Sequence, residues 1–214
     1  VGAAGLAALR QDDHVKYSTA VARLRSLAAE LDRLAGFDDD FLLEEAWVFG
    51  ELLDGPDGVD VVFLALVVDL PAEEVTWCAR PAPAEALASL LRFEKYPLRW
   101  FWRPTVWPVW NHAVDRAVRF WSKVGGTDAE TLDGLAYRRL DDLRFVAPPD
   151  AEALRGQLLI DHEAARLHLQ HVVDRYEDAE WRRGHKGFGV YPEDHLWWAA
   201  KGFLELETAI KKLG

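Results

Sequence analysis

Between Arg92 and Lys123 the chain sets Arg92, Lys95, Arg99, Arg103, Arg116, Arg119 and Lys123 against only Glu94 and Asp115. Five of the ten tryptophans, Trp100, Trp102, Trp107, Trp110 and Trp121, fall in the same stretch. Indole and guanidinium groups are the side chains that most often anchor binding energy. At the centre stands Trp107-Pro108-Val109-Trp110-Asn111-His112, with two rings, the chain's one asparagine and a histidine beside a rigid proline. Rings supply contact area and polar side chains supply orientation. Arg99, Arg103, Trp107, Trp110, Asn111 and His112 are therefore the candidate ligand-binding residues. The competing reading is that the rings fill the space between a sheet and helices, since tryptophan is mostly buried in folded proteins.

A second set could do metal-dependent chemistry. Trp47-Val48-Phe49-Gly50-Glu51 is followed, after eight residues, by Asp60-Val61-Val62-Phe63. Over Glu44 to Asp69 this resembles the nucleotidyltransferase superfamily. That family places a glycine and a small residue at the end of one strand and two alternating carboxylates on the next. The resemblance implies Mg²⁺ on the paired acids and a triphosphate against the glycine turn. Here Glu51 replaces the small residue and Val62 the second carboxylate, and Asp69 is too far along a straight strand to share a metal with Asp60. The run Arg182-Arg183-Gly184-His185-Lys186-Gly187-Phe188-Gly189 could cradle phosphate with its backbone. It follows no Walker order, and Glu193 and Asp194 already occupy the start of the next helix. The alternative nucleotide site is thus Gly50, Glu51, Asp60, His185 and Lys186.

Asp161, His168 and His171 take neighbouring positions on one long helix, with His162 well round its circumference. A zinc site needs three or four convergent ligands, and a further one would have to come from elsewhere, such as His195. No compact metal motif is present, so these residues read as the polar border of an amphipathic helix and no metal or other cofactor is expected. No glycine-flanked serine is present, and Cys78, the lone cysteine, has no histidine near it in sequence, so no catalytic residue is assigned.

The formal net charge of −11 argues against nucleic acid and against an anionic membrane surface. The longest apolar run, Val61 to Val68, is far too short to span a bilayer. One thiol and the absence of a basic flank before the apolar start suit a cytoplasmic protein. Methionine is absent, and asparagine and isoleucine are scarce, which points to a GC-rich bacterial genome. The whole also resembles uncharacterised proteins of such bacteria, with no assigned activity. Glu30 to Asp60 carries eleven acids and one arginine. It complements the cationic run, and a homodimer is one way to use that complement.

These residues need elements to position them. Apolar spacing predicts a helix over 12–36 closed by Gly36, and a strand over 46–50. Asp54-Gly55-Pro56-Asp57-Gly58 is a turn, and a doubly buried strand follows over 59–69. A helix over 84–93 precedes strands over 98–103 and 117–122. If those two strands pair, one face is apolar and the other mixes rings with cations. Thr127-Asp128-Ala129-Glu130 reads as a capping box for a helix through Leu132, Leu135, Leu140 and Leu143. A long helix over 151–182 and a last one from Pro192 form an antiparallel hairpin. The expected fold is α+β: a mixed or antiparallel sheet of about four strands, an N-terminal helix and a C-terminal helical hairpin. Residues 1–125 form the sheet region and 126–214 a helical region packed on it as one unit. The function expected is non-catalytic binding of a small ligand or protein partner through the Trp/Arg surface; the alternatives are a diverged nucleotidyltransferase-like enzyme and a self-assembling protein.

Overall fold

The computed structural model describes residues 14–37, 40–185 and 191–213. Lys186 and the glycines at 187 and 189 lie outside them, as does the expected start of the first helix. In chain order the elements are β1 (Val15–Lys16), α1 (Tyr17–Ala35), β2 (Leu43–Phe49), β3 (Gly58–Val59), β4 (Val62–Val68), α2 (Ala82–Leu90) and β5 (Leu98–Pro104). There follow β6 (Ala117–Ser122), β7 (Gly126–Thr127), α3 (Ala129–Ala136), β8 (Phe145–Val146), α4 (Ala151–Arg175), α5 (Ala179–Gly184) and α6 (Pro192–Leu213).

The fold is α+β. Its main sheet has six strands rather than about four, in the order β5-β4-β2-β6-β7, with β8 also paired to β6. The two-residue strands β7 and β8 are too short to leave a period-two signal in the sequence. β2 pairs antiparallel with both β4 and β6, while β4 and β5 are parallel. A parallel pair needs a crossover, and α2 lies in it. β4 is central, as its unbroken apolar run requires. Val62, Leu64, Leu66 and Val68 enter the main core with α1, and Ala65 and Val67 enter a second core on the opposite face.

The two strands rich in tryptophan and arginine do not pair, because β4 and β2 lie between them. A bulge in β6 also alters the expected alternation: Trp121 stands opposite Ala46, and Arg119 opposite Trp47. The extra residue turns Trp121 inward beside Phe120, and its indole N–H donates to Asp32 at 2.7 Å. Other boundaries shift for local reasons. α1 starts at Tyr17 because Val15 and Lys16 pair with β3. Gly36 caps it in ordinary helical geometry, with φ −74. Asp128, not Thr127, caps α3 by accepting from the Thr131 N–H. The Thr127 hydroxyl donates instead to Asp32. α3 stops at Ala136, short of Leu140 and Leu143. The helix expected over 151–182 is two helices, since Asp178 accepts from the N–H groups of Glu180 and Trp181 and starts α5 afresh.

The acidic and cationic runs meet inside one chain. Arg119 pairs with Glu45 at 2.6 Å, Arg116 with Asp54 at 2.8 Å and Lys123 with Glu44 at 3.1 Å. The C-terminal hairpin forms as expected. α4 and α6 run antiparallel, joined by His162–Glu207 near one end and Tyr176–Glu193 near the other. No helix among the described residues is long and apolar enough to cross a membrane.

Candidate functional site

Arg103, at the C-terminal end of β5, is fully buried and pairs with the equally buried Asp161 of α4 at 3.0 Å. Its other N–H groups donate to the Pro108 carbonyl at 3.0 and 3.2 Å. Asn111 is buried beside it, donating to Asp161 at 3.3 Å and accepting from the Ala113 and Val114 N–H groups at 2.9 Å. Gln157, one turn before Asp161, donates to its other oxygen at 2.8 Å. This network ties the segment 104–114 to α4, and its charges face each other rather than solvent. Trp107 lies half-buried over the Arg103 guanidinium, at 5.5 Å. Trp110 is half-buried and Arg99 exposed, beside the Phe63 ring. His112 turns its ring edge-on to Trp77, and burial lowers its pKa, so the ring is neutral. Its Nδ1 is buried without a hydrogen-bond partner among the described residues. Of the six candidate residues, the structure joins Arg103, Asn111 and Trp107 into one cluster and leaves Arg99 apart.

Open space lies on the other face of β5. Leu98, Trp100 and Trp102 share that face, as their alternation requires. The Trp102 and Trp100 indole N–H groups donate to one oxygen of Glu85, at 2.8 and 3.4 Å. Arg80 donates to the same oxygen at 3.0 Å. Its guanidinium lies between two indole faces, 4.6 Å from Trp100 and 4.7 Å from Trp198.

Local chemistry explains this convergence. Proline at the first turn starts α2, and Glu85 in that turn suits the positive end of the helix. Trp77 stacks flat on Phe101, at 4.4 Å, and its indole N–H donates to Glu205 at 2.8 Å. Gly202 lets the α6 backbone press on the Trp77 carbonyl, where a Cβ would come within 2.0 Å of the oxygen. Trp198, one turn before Gly202, thereby reaches Arg80.

Two adjoining clefts share Arg80, Ala82, His185 and His195. One, of about 510 Å³, runs past Glu73, Glu74, Leu167, His168, His171 and Trp181. The other, of about 460 Å³, runs past Glu85, Ser89 and Trp100. The rings of His185 and His195 meet edge-on at 4.6 Å, with Trp181 against His185 at 4.3 Å. Burial, and then the neighbouring His185 and His168, push the His195 pKa down to about 4. Burial likewise lowers that of His168, against a backbone hydrogen bond at Glu73 that raises it. Neutral imidazoles both donate and accept hydrogen bonds and present flat faces.

The matching of a known domain family decides the chain's kinship: its profile covers residues 15–212. The chain belongs to the DUF7711 family. That family is described as a domain of unknown function. No curated protein and no solved structure matches the chain.

In this DUF7711 protein the residues of the alternative nucleotide site are spread over separate elements. Gly50 follows β2 with φ +76, packed on the Phe63 ring, and the exposed Glu51 opens a 3₁₀ turn whose Leu52 and Leu53 are buried. Asp60 lies before β4 on the surface, 2.7 Å from His14. His185 lies at the histidine cleft, with ring contacts to Trp181 and His195. Among the described residues, no group of three His, Cys, Asp or Glu side chains is arranged to hold a metal ion. The DUF7711 cleft gathers His168, His171, His185 and His195 of the histidines named from sequence, while His112 and His162 lie elsewhere and Asp161 is held by Arg103. Arg80, Glu85, Trp181 and Trp198 were not legible as site residues, because they meet only through packing of α2, α5 and α6. Burial, then the Glu205 carboxylate, raise the Cys78 thiol pKa to about 12, which favours the protonated thiol.

Proposed function

We propose that this DUF7711 protein is a non-catalytic ligand-binding protein whose site is the paired cleft around Arg80 and His195. The ligand is small and planar, uncharged or cationic. The observation that carries the reading is the Arg80 guanidinium, clamped between Trp100 and Trp198 beside the His185 and His195 rings. Flat faces of indole and imidazole stack on planar ligands, and the clamped guanidinium holds the indoles in place. Arg80 already pairs with Glu85, and Glu73 and Glu74 line the rim, so an anion gains little here. The site keeps the tryptophan and arginine chemistry expected of the mid-chain run, with Trp100 as the shared residue.

Thermal shift and calorimetry with adenine, nicotinamide, indole and benzamidine test the reading. At least one should bind the native protein, and more than tenfold more weakly the Arg80→Ala and His195→Phe variants. Silence across the four, or binding unchanged in both variants, defeats it.

A further inference from the structure

A separate groove of about 410 Å³ runs between α1 and the corner after α2, away from the histidines. Leu27 and Leu91 are buried in its floor, and Phe93 is almost wholly so. Three guanidinium groups line it, those of Arg23, Arg33 and Arg92, against one carboxylate, Glu30. Glu30 is engaged by Arg33, which donates to both of its oxygens, at 2.5 and 3.1 Å. Arg23 lies flat on the Tyr96 ring at 4.0 Å. Neither Arg23 nor Arg92 has a hydrogen-bonded or ion-paired acid among the described residues. On a chain of net charge −11, two such cations over an apolar floor stand out.

The backbone adds a second observation. Arg92 follows α2 in the left-handed region, with φ +55. Glycine is the usual occupant of that position at a helix end, because a Cβ is strained there. An arginine held in this conformation, at the mouth of a groove, is the kind of local strain that clusters at ligand sites.

We propose that this groove binds a phosphate monoester of a small apolar or aromatic alcohol. The phosphate sits between Arg23 and Arg92, and the apolar body rests on Leu27, Leu91 and Phe93. Guanidinium forks match phosphate oxygens in charge and geometry. The proposal is independent of the histidine cleft.

Phenyl phosphate, inorganic phosphate and phenol, titrated by calorimetry into the native protein and two variants, test it. Phenyl phosphate should bind at least tenfold more tightly than either fragment, and more weakly as salt rises. Arg23→Gln and Arg92→Gly should each weaken it at least tenfold. The second variant is clean, because glycine relieves the backbone at φ +55 and should raise rather than lower the melting temperature. Binding that survives Arg92→Gly, or inorganic phosphate binding as tightly as phenyl phosphate, overturns the proposal. So does binding only to phosphatidic acid vesicles with phenyl phosphate silent, which would place the head group in a membrane.

Discussion

Arg103 and Arg80 both lie against indole rings, and both pair with a carboxylate about 3.0 Å away. Arg103 is wholly sealed, its acid is equally buried, and Asn111 and Gln157 donate to that acid. Arg80 keeps 15% of its side-chain surface open and borders two clefts. Both are arginines against indoles, one ring for Arg103 and two for Arg80; burial is what separates a structural cation from one that borders open space. The difference follows from β5. One of its faces points toward α4, where the 104–114 segment closes over Arg103. The other carries Trp100 toward α2 and α6, which leave a gap.

Removing the sealed charge should have the largest effect. Asp161→Ala leaves Arg103 buried without its partner, and Gln157 and Asn111 without an acceptor. A loss of about 3–5 kcal/mol in urea unfolding is expected. The Arg103→Met, Asp161→Leu double variant removes both charges and should recover part of that loss, because an apolar pair avoids the desolvation cost. A double variant no better than Asp161→Ala would show that the other hydrogen bonds, not the ion pair, hold the segment.

Gly202→Ala should come next. The added Cβ meets the Trp77 carbonyl, which is backbone and cannot rotate away. α6 must move, at a cost of about 3 kcal/mol. The comparison predicts an asymmetry: Trp198 shifts off Arg80 and cleft binding falls, while the Arg103 network stays closed. Tryptophan fluorescence and hydrogen exchange at α4 would separate the two responses.

Much of the frame was legible because it depends on local spacing. Eight apolar residues in a row, Val61 to Val68, placed β4 at the centre of the sheet, and the three-and-four spacing of Leu24, Leu27 and Leu31 gave the buried face of α1. The i, i+3 step from His168 to His171 put two of the cleft imidazoles on one helix edge. What was hidden depends on register or on distant partners. The bulge that turns Trp121 inward leaves no mark on the period of β6. Asp178 looks like any helical acid until it accepts two N–H bonds and ends one helix in favour of another. Asp161 read as a companion of His168 because helical neighbours share a face. Only the arrival of Arg103 from β5 shows that it belongs to the interior. Arg80 carried no pattern at all, since both of its rings come from elements far along the chain.

Arg80→Ala should cost only about 1 kcal/mol, the scale of partly exposed cation–π contacts and ion pairs. Equilibrium unfolding checks the size. A loss like that of Asp161→Ala would make Arg80 a second structural cation and erase the distinction between the two faces. Arg80→Lys sharpens it further, since an ammonium keeps the charge but not the flat face, and should lose cleft binding with almost no change in stability.

A pH dependence should arise in both regions, a separate part from each. His195 is held neutral when folded, with a pKa of about 4 against an ordinary value of 6.5. Between those values the unfolded chain takes up a proton that the folded chain refuses. This contribution is full above pH 6.5 and is lost as pH falls toward 4. Burial lowers the pKa values of His168 and His112 as well, so all three act in the same direction. Melting temperatures measured from pH 7 to pH 4.5 should therefore decline, and His195→Asn should flatten part of that slope. His112→Asn should flatten another part, because it lies on the Arg103 side, against Trp77. A ligand that stacks on His195 should steepen the first component alone. Equal steepening in both variants would mean that the two faces of β5 respond as one.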